Sequence, residues 1–232
     1  MVRHRAVCGA LSAVELRHLN KIARRTKIAA GSIILHAQEE SAVFANIVSG
    51  VIKLSKSLAD GRQQIVGLQF APDFLGRAYG GENPYFAEAV TEVDLCQFPK
   101  NKFEDLLVEF PALEQTLFER TLSELDSARD WMLLLGRKTA TEKVATFLLL
   151  LARRAGDQGC GIVPADGTIR VELPITRTDM ADYLGLTIET VSRQITRFKS
   201  KNIIRMVNSR TIVIPDIAIL EQVADNSGHD RY

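Results

Sequence analysis

The sequence predicts an α+β fold in three parts: an N-terminal antiparallel β-barrel or jelly roll, a long central helix and a C-terminal winged helix-turn-helix. Short apolar segments alternate with turn residues over residues 28–99, and residues 112–135 contain neither glycine nor proline. Residues 173–199 contain two short helical patterns around a glycine. We therefore expect parts at 1–110, 111–137 and 138–232.

Length and composition restrict the class of protein. The 232 residues are 46% hydrophobic, enough for two modest domains. The longest apolar run, Phe147 to Ala152, is too short to span a membrane, so we expect a cytoplasmic protein without membrane contact. Three widely spaced cysteines suit a reducing compartment. Among them Cys160, in a glycine-rich stretch, is a candidate for redox regulation, with an idle thiol as the alternative.

The N-terminal part begins with an amphipathic segment around Ser12 to Ile22 and continues as short strands. Asp60-Gly61 lies between two alternating segments, as the tip of a hairpin does. Many short strands at close spacing are typical of a small barrel or jelly roll. The expected strands are Ile33 to Leu35, Phe44 to Val48, Val51 to Leu54, Ile65 to Phe70 and Val93 to Phe98.

The central helix is expected to start at Pro111 and to carry an apolar seam at heptad spacing. Such a seam indicates self-association into a homodimer, and the alternative is a helix packed on its own barrel. We favour the dimer. The seam residues are Phe118, Thr121, Leu122, Leu125, Ala128, Met132 and Leu135.

A further helix, about Thr139 to Arg154, precedes the third part. There Thr176 or Thr178 is suited to cap the first short helix and Thr187 the second. Gly185 permits the left-handed turn between them. Residues 203–214 alternate around Asn208-Ser209, as a two-stranded wing does.

The second short helix has the chemistry of a DNA-reading helix. Glu189, Ser192 and Arg193 share one face of its first turns, where they can bond to base edges in the major groove. The alternative for Glu189 and Arg193 is an ordinary surface ion pair. Between Arg177 and Arg210, seven basic and three acidic residues give a net charge of +4. Candidate phosphate contacts are Thr178, Thr187, Thr190, Arg197, Lys199 and Lys201.

Residues 176–193, with Glu189, Ser192 and Arg193 in an E-x-x-S-R pattern, closely resemble the DNA-binding segment of the CRP/FNR superfamily, and in particular its FNR and FixK branches. The order of the three parts resembles that family over nearly the whole chain. The resemblance implies a homodimeric transcription regulator, most often an activator, that binds double-stranded DNA at a palindrome with TTGA-type half-sites. It also implies contact with RNA polymerase, for which the hairpin at Asp60, Gly61 and Arg62 is our candidate, and a connection with nitrogen fixation.

Departures from the family pattern bear on its cofactors. Members that bind cyclic AMP carry a glutamate that holds the ribose and an arginine that holds the phosphate. In the stretches of this chain that resemble those segments, Phe74 and Pro84 stand in their places. Iron-sulfur members use four cysteine ligands, of which only Cys96 and Cys8 have counterparts here. We therefore expect no requirement for either cofactor. The competing interpretations are a small-molecule sensor that uses the barrel as a pocket, and a cupin-like metalloenzyme. The second needs clustered ligands, and only His36 lies on the barrel strands.

Overall fold

A computed structural model describes residue 9 and residues 11–157 and 168–225. The chain divides into two compact units, Met1–Ser127 and Ala128–Tyr232. Within the described ranges, no helix is long and apolar enough to cross a membrane. Those same ranges hold no group of three histidine, cysteine or carboxylate side chains that could bind a metal ion.

The first unit starts with helix α1 (Ala13–Ile22), whose capping box pairs Ser12 with Glu15. Eight strands and a second helix follow. They are β1 (Arg24–Ile28), β2 (Ile33–Leu35), β3 (Val43–Ser49), β4 (Val51–Ser57), β5 (Gln63–Phe70), β6 (Phe74–Leu75), β7 (Phe86–Ala89), β8 (Val93–Pro99) and α2 (Lys100–Glu109).

The strands form two antiparallel four-stranded sheets, in the orders β1-β8-β3-β6 and β2-β7-β4-β5. The predicted fold class is confirmed as this two-sheet, jelly-roll arrangement, whereas a closed barrel is not formed. The sequence did not predict β1, β6, β7 or α2. Strand β1 was not predicted because its residues are polar and mostly exposed. Strand β6 was not predicted because it has only two residues.

Two apolar clusters stabilise this unit. One lies among the strands of both sheets and includes Ile47, Ile52 and Leu95. The other packs α1 and α2 on the first sheet through Phe44, Phe74, Phe98 and Phe103, where the Phe44 and Phe103 ring centroids are 5.0 Å apart. Phe74 is therefore a core residue of the first unit.

Helix α3 (Pro111–Arg137) follows α2 after Phe110. The second unit then contains α4 (Ala140–Asp157), β9 (Ile169–Glu172), α5 (Arg177–Leu184), α6 (Ile188–Ser200), β10 (Arg205–Met206), β11 (Thr211–Ile214) and α7 (Ile217–Asp225). Strands β10 and β11 form the predicted wing and extend to a three-stranded sheet with β9. Lys138, between α3 and α4, donates to the Thr146 hydroxyl at 2.9 Å and to the Ala224 carbonyl at 3.0 Å, so it joins α4 to the end of α7.

Candidate nucleic-acid interface

The helix-turn-helix is built from α5 and α6. Thr176 is the N-cap of α5 and forms a capping box with Asp179, with the Asp179 amide 3.0 Å from the Thr176 hydroxyl. Of the two predicted capping residues, Thr176 is therefore the one used, and Thr178 is exposed in the first turn. Gly185 ends α5 at φ 60° and ψ 44°, the left-handed turn predicted for it.

Helix α6 begins at the N-cap Thr187, whose hydroxyl accepts from the Thr190 amide. Glu189 follows in the first turn with an exposed side chain. Its own backbone amide and the Thr187 hydroxyl both donate to the carboxylate, and these bonds lower the pKa of Glu189. The group is therefore a hydrogen-bond acceptor at neutral pH.

Arg193 lies one turn further along α6 and is also exposed. Its Nη2 donates to the Thr190 hydroxyl at 3.4 Å. In the described part of the chain it forms no ion pair with Glu189, so the alternative of a surface ion pair is not what the structure contains. Ser192 is exposed beside it, and the three predicted base-reading side chains point to solvent from the first two turns of α6.

The opposite face of α6 is apolar and buried. Val191, Ile195 and Phe198 lie in the core of the second unit. Buried Gln194 accepts a hydrogen bond from Thr141 of α4, with a distance of 3.0 Å between Thr141 Oγ1 and Gln194 Oε1. The sequence had not identified Gln194 as a structural residue, because a polar residue in an exposed-looking helix carries no signal of burial.

The candidate phosphate contacts divide into two groups by exposure. Thr178, Thr187, Lys199 and Lys201 are exposed, whereas Thr190 and Arg197 are half-buried. Arg210 is a further exposed cation, on the wing, that was not predicted to contact phosphate. The Asn208 side chain shapes the wing turn by accepting from the Arg210 and Thr211 amides at 2.8 and 2.7 Å.

Arg177, at the start of α5, was counted in the basic cluster but given no role. It is half-buried, and desolvation lowers the pKa of its guanidinium. Its buried Nη1 has no hydrogen-bond partner among the side chains and backbone that the structure describes. A buried donor without a partner costs free energy, so this nitrogen is a local cost within α5 and not a donor on the exposed surface.

The predicted dimer seam is exposed along most of α3. The exposed fractions are 61% for Phe118, 44% for Leu122, 45% for Leu125 and 72% for Met132, and Thr121 and Ala128 are exposed as well. Leu135 is only half-exposed, since it packs near Gly185 of the same chain. Solvent-facing apolar side chains in this number on one helix need a covering surface.

The candidate polymerase contact lies at the tip of the β4–β5 hairpin. Asp60 accepts from the Arg62 amide at 3.1 Å and from Arg62 Nε at 2.9 Å. Gly61 has a φ of 85°, which the turn requires. All three residues are exposed, and the Asp60–Arg62 pair gives the tip a fixed polar surface.

The cysteines are separated along the chain. Cys96 lies half-buried on β8, where burial raises the pKa of its thiol. Cys8 and the redox candidate Cys160 lie outside the described residues.

Comparison with known proteins identifies the two units. Residues 25–110 match the cyclic nucleotide-binding domain family, and residues 142–223 match the Crp-like helix-turn-helix domain family. A probable transcriptional activator of Rhizobium leguminosarum bv. viciae is 49% identical over 95% of this chain and 90% of its own length. The nitrogen fixation regulation protein FixK of Bradyrhizobium diazoefficiens is 40% identical over 96% of this chain and 91% of its own length.

The solved structure of FixK2 from Bradyrhizobium japonicum has a TM-score of 0.79 and 31% identity, and the match covers 89% of this chain and 100% of that one. The two sequence relatives are named as a transcriptional activator and a regulation protein, which confirms the expectation that the protein is not an enzyme. The chain therefore belongs to the CRP/FNR family and is a transcriptional activator of the FixK/FNR type with a helix-turn-helix DNA-binding domain.

Proposed function

We propose that the protein is a homodimer that recognises a two-fold palindrome with TTGA-type half-sites and activates transcription by contact with RNA polymerase. The observation that carries the proposal is the exposed set Glu189, Ser192 and Arg193 on the first two turns of α6. That is the part of a recognition helix that faces base edges in the major groove.

Each side chain has a distinct role in this proposal. Arg193 donates two hydrogen bonds to a guanine, and Glu189, kept ionised by its bonds at the helix start, accepts from a cytosine amino group. Ser192 contacts a neighbouring base. Arg193 Nη2 donates to the Thr190 hydroxyl at 3.4 Å, and a bond of this length is easily exchanged for a base contact.

The remaining polar residues of this surface would position the helix on the phosphates. In the proposal these are Thr178, Thr187, Thr190, Arg197, Lys199 and Lys201, with the exposed Arg210 of the wing added from the structure. Together they carry most of the basic charge of the segment, which supports binding to a polyanion.

The exposed seam on α3 supports the dimer. Thr121, the polar member of the seam, donates its hydroxyl to the Leu117 carbonyl at 2.9 Å, so it can be buried against a second copy without losing a hydrogen bond. Two protomers related by a two-fold axis would present their α6 helices to major grooves about 34 Å apart. We accordingly assign 1–110 as a sensor-like domain, 111–137 as the dimerisation helix and 138–232 as the DNA-binding domain.

We further propose that DNA binding requires neither a cyclic nucleotide nor an iron-sulfur cluster. The chain has three cysteines, one fewer than the four thiolates such a cluster needs. Pro84, in place of the arginine that holds a cyclic nucleotide's phosphate, carries no charge. Isothermal titration with cyclic AMP is expected to show no heat. Tighter DNA binding after addition of cyclic AMP, or after reconstitution with iron and sulfide, would contradict this part.

The central experiment is a fluorescence anisotropy titration against a matched palindrome and a duplex with both half-sites scrambled. Arg193→Ala is expected to weaken binding to the matched duplex by roughly 1–3 kcal/mol and to leave the scrambled duplex nearly unaffected. Lys201→Ala should weaken both duplexes alike. Arg17→Ala, which removes an exposed cation from α1, is the control and should change neither. Equal losses on both duplexes for Arg193→Ala would refute its role.

A further inference from the structure

Three aromatic rings connect the end of α3 to the helix-turn-helix within the second unit. Trp131 of α3 stacks on Tyr183 of α5, with 4.0 Å between ring centroids and 20° between ring planes. Phe147 of α4 meets the same Tyr183 ring edge-on at 5.7 Å and 71°. Tyr183 and Phe147 are buried, so the Trp131 contact is part of a packed cluster and not a surface pairing.

A second contact places the same helix end against the turn between α5 and α6. A Cβ atom added to Gly185 would lie 3.6 Å from Leu135 Cδ2, so the Leu135 side chain covers the glycine turn. Leu134, between these positions, is also buried. Trp131 and Leu135 are four residues apart and hence on one face of α3. That face contacts the C-terminal end of α5, through the Tyr183 ring and the Gly185 turn.

The indole of Trp131 contributes shape and area, not a hydrogen bond. Its buried Nε1 has no hydrogen-bond partner in the part of the chain that the structure describes. A buried unsatisfied donor costs free energy, so what the residue supplies must come from ring packing. Phenylalanine keeps a ring in this place and removes the unsatisfied donor, which makes Trp131→Phe the conservative substitution.

We propose that Trp131 is a positioning residue that fixes the orientation of the recognition helix relative to the C-terminal part of α3, residues 128–137, which carries the seam residues Ala128 and Met132, and that it thereby sets the spacing between half-sites that the dimer accepts. The inference rests on the proposed dimer. The role proposed for Trp131 is to set the distance and the angle between the two α6 helices of the dimer. Glu189, Ser192 and Arg193 determine which bases each helix reads. One base pair of spacer displaces a half-site and rotates it around the duplex, so a rigidly held pair of helices discriminates between spacers.

The test measures binding of full-length protein to three duplexes that share both half-sites and differ by one base pair in the spacer, together with a fourth duplex that carries one scrambled half-site. Wild type is expected to prefer one spacer. In Trp131→Ala the affinity ratio between that spacer and its neighbours should fall by about threefold to tenfold, the range that an aromatic pair contributes. The ratio between intact and scrambled half-sites should stay within twofold of wild type, and Trp131→Phe should restore spacer selectivity.

An unchanged spacer ratio in Trp131→Ala would overturn the inference. This holds if the affinity for all four duplexes falls together, as in a general loss of fold, and also if a folded dimer keeps its full spacer selectivity. The wild-type measurements test the proposed function separately from the role of Trp131. Wild type without any spacer preference, or without discrimination against the scrambled half-site, would contradict the dimeric palindrome reader itself. Phe147→Leu is a second variant that loosens the Tyr183 ring from α4 without touching α3, and it should retain spacer selectivity.

Discussion

The Thr141 hydroxyl donates to the side-chain oxygen of Gln194 across 3.0 Å, which bonds the first turn of α4 to the middle of the recognition helix. Gln194 is buried, so loss of its donor leaves a polar atom without a partner in a region poor in water. We therefore regard this bond as one of the contacts that hold α6 in place.

Thr141→Val is expected to lower the free energy of unfolding by about 1–3 kcal/mol, because the Gln194 oxygen stays buried and unsatisfied. The double variant Thr141→Val with Gln194→Leu should lose less than the sum of the two single variants. Chemical denaturation of all four proteins gives this coupling. Thr196→Val is the control, since within the described residues the Thr196 hydroxyl bonds to its own helix, at the Ser192 carbonyl. Strictly additive losses would show that the bond has no energetic weight.

In the N-terminal unit, Arg25 of β1 forms a bidentate salt bridge with Asp94 of the neighbouring strand β8. Arg25 Nε lies 2.9 Å from both carboxylate oxygens and Nη2 lies 2.6 Å from one of them. This hydrogen bonding lowers the pKa of Asp94 below its usual 3.8. A group whose pKa is lowered by folding stabilises the fold above its usual pKa, and this stabilisation is lost as the pH falls through the lowered value.

Arg25→Gln is accordingly expected to destabilise the protein slightly at pH 7, and the effect is small because the Arg25 side chain is 69% exposed. The difference from wild type should shrink below pH 3.8 as Asp94 becomes protonated in both proteins. Urea unfolding at pH 7 and at acidic pH measures it. Lys102→Gln, which removes an exposed cation from α2, should change little at either pH. A pH-independent difference would rule out the charge as its origin.

Several features were predictable from sequence because one local rule decides them. Gly185 was assigned from its place between two capped helices, and Thr187 from its place before an apolar periodic run; the structure contains both. The two-sheet domain followed from strand spacing. Helix α2 was missed because Pro99 supplies no side-chain cap and the segment follows a strand directly. The Trp131–Tyr183 stack could not be predicted from the sequence either, because two residues 52 positions apart meet through the packing of α3 on α5.

The base-reading surface gives a prediction about pH. The pKa of Glu189 is lowered from 4.5 by its own amide and by Thr187, so the carboxylate stays ionised throughout the neutral range. Discrimination at the base pair that Glu189 reads should therefore be constant from pH 8 to pH 6 in anisotropy titrations. Glu189→Gln, whose amide can donate as well as accept, should reduce this discrimination by roughly 1–3 kcal/mol. Glu172→Gln, an exposed carboxylate on β9, is the control. Selectivity that declines already between pH 8 and pH 6 would show that another group titrates.

The α3 seam predicts the oligomeric state. Leu125→Asp places a charge at an exposed apolar position between Leu122 and Ala128, and it would have to be desolvated in a dimer. Sedimentation velocity should show a monomer for this variant and a dimer for wild type, with loss of tight palindrome binding. Ser123→Asp is the matched control on the other side of the helix, where the hydroxyl bonds to the Glu119 carbonyl. An intact Leu125→Asp dimer would place the interface elsewhere.

The tip of the β4–β5 hairpin predicts a separation between DNA binding and activation. Because Asp60 and Arg62 are exposed and bond to each other, their removal should leave the fold and the affinity for DNA unchanged. If the tip contacts RNA polymerase, the double variant Asp60→Ala with Arg62→Ala should lower transcript yield in a reconstituted transcription reaction by about fivefold, as expected for interface residues worth ~1 kcal/mol. The double variant removes one charge of each sign and so leaves the net charge unchanged, and Lys56→Ala, at an exposed residue on the same hairpin but off the tip, is the control for position. Equal transcript yields at saturating occupancy of the promoter would exclude the tip as the contact and direct attention to another surface of the N-terminal unit.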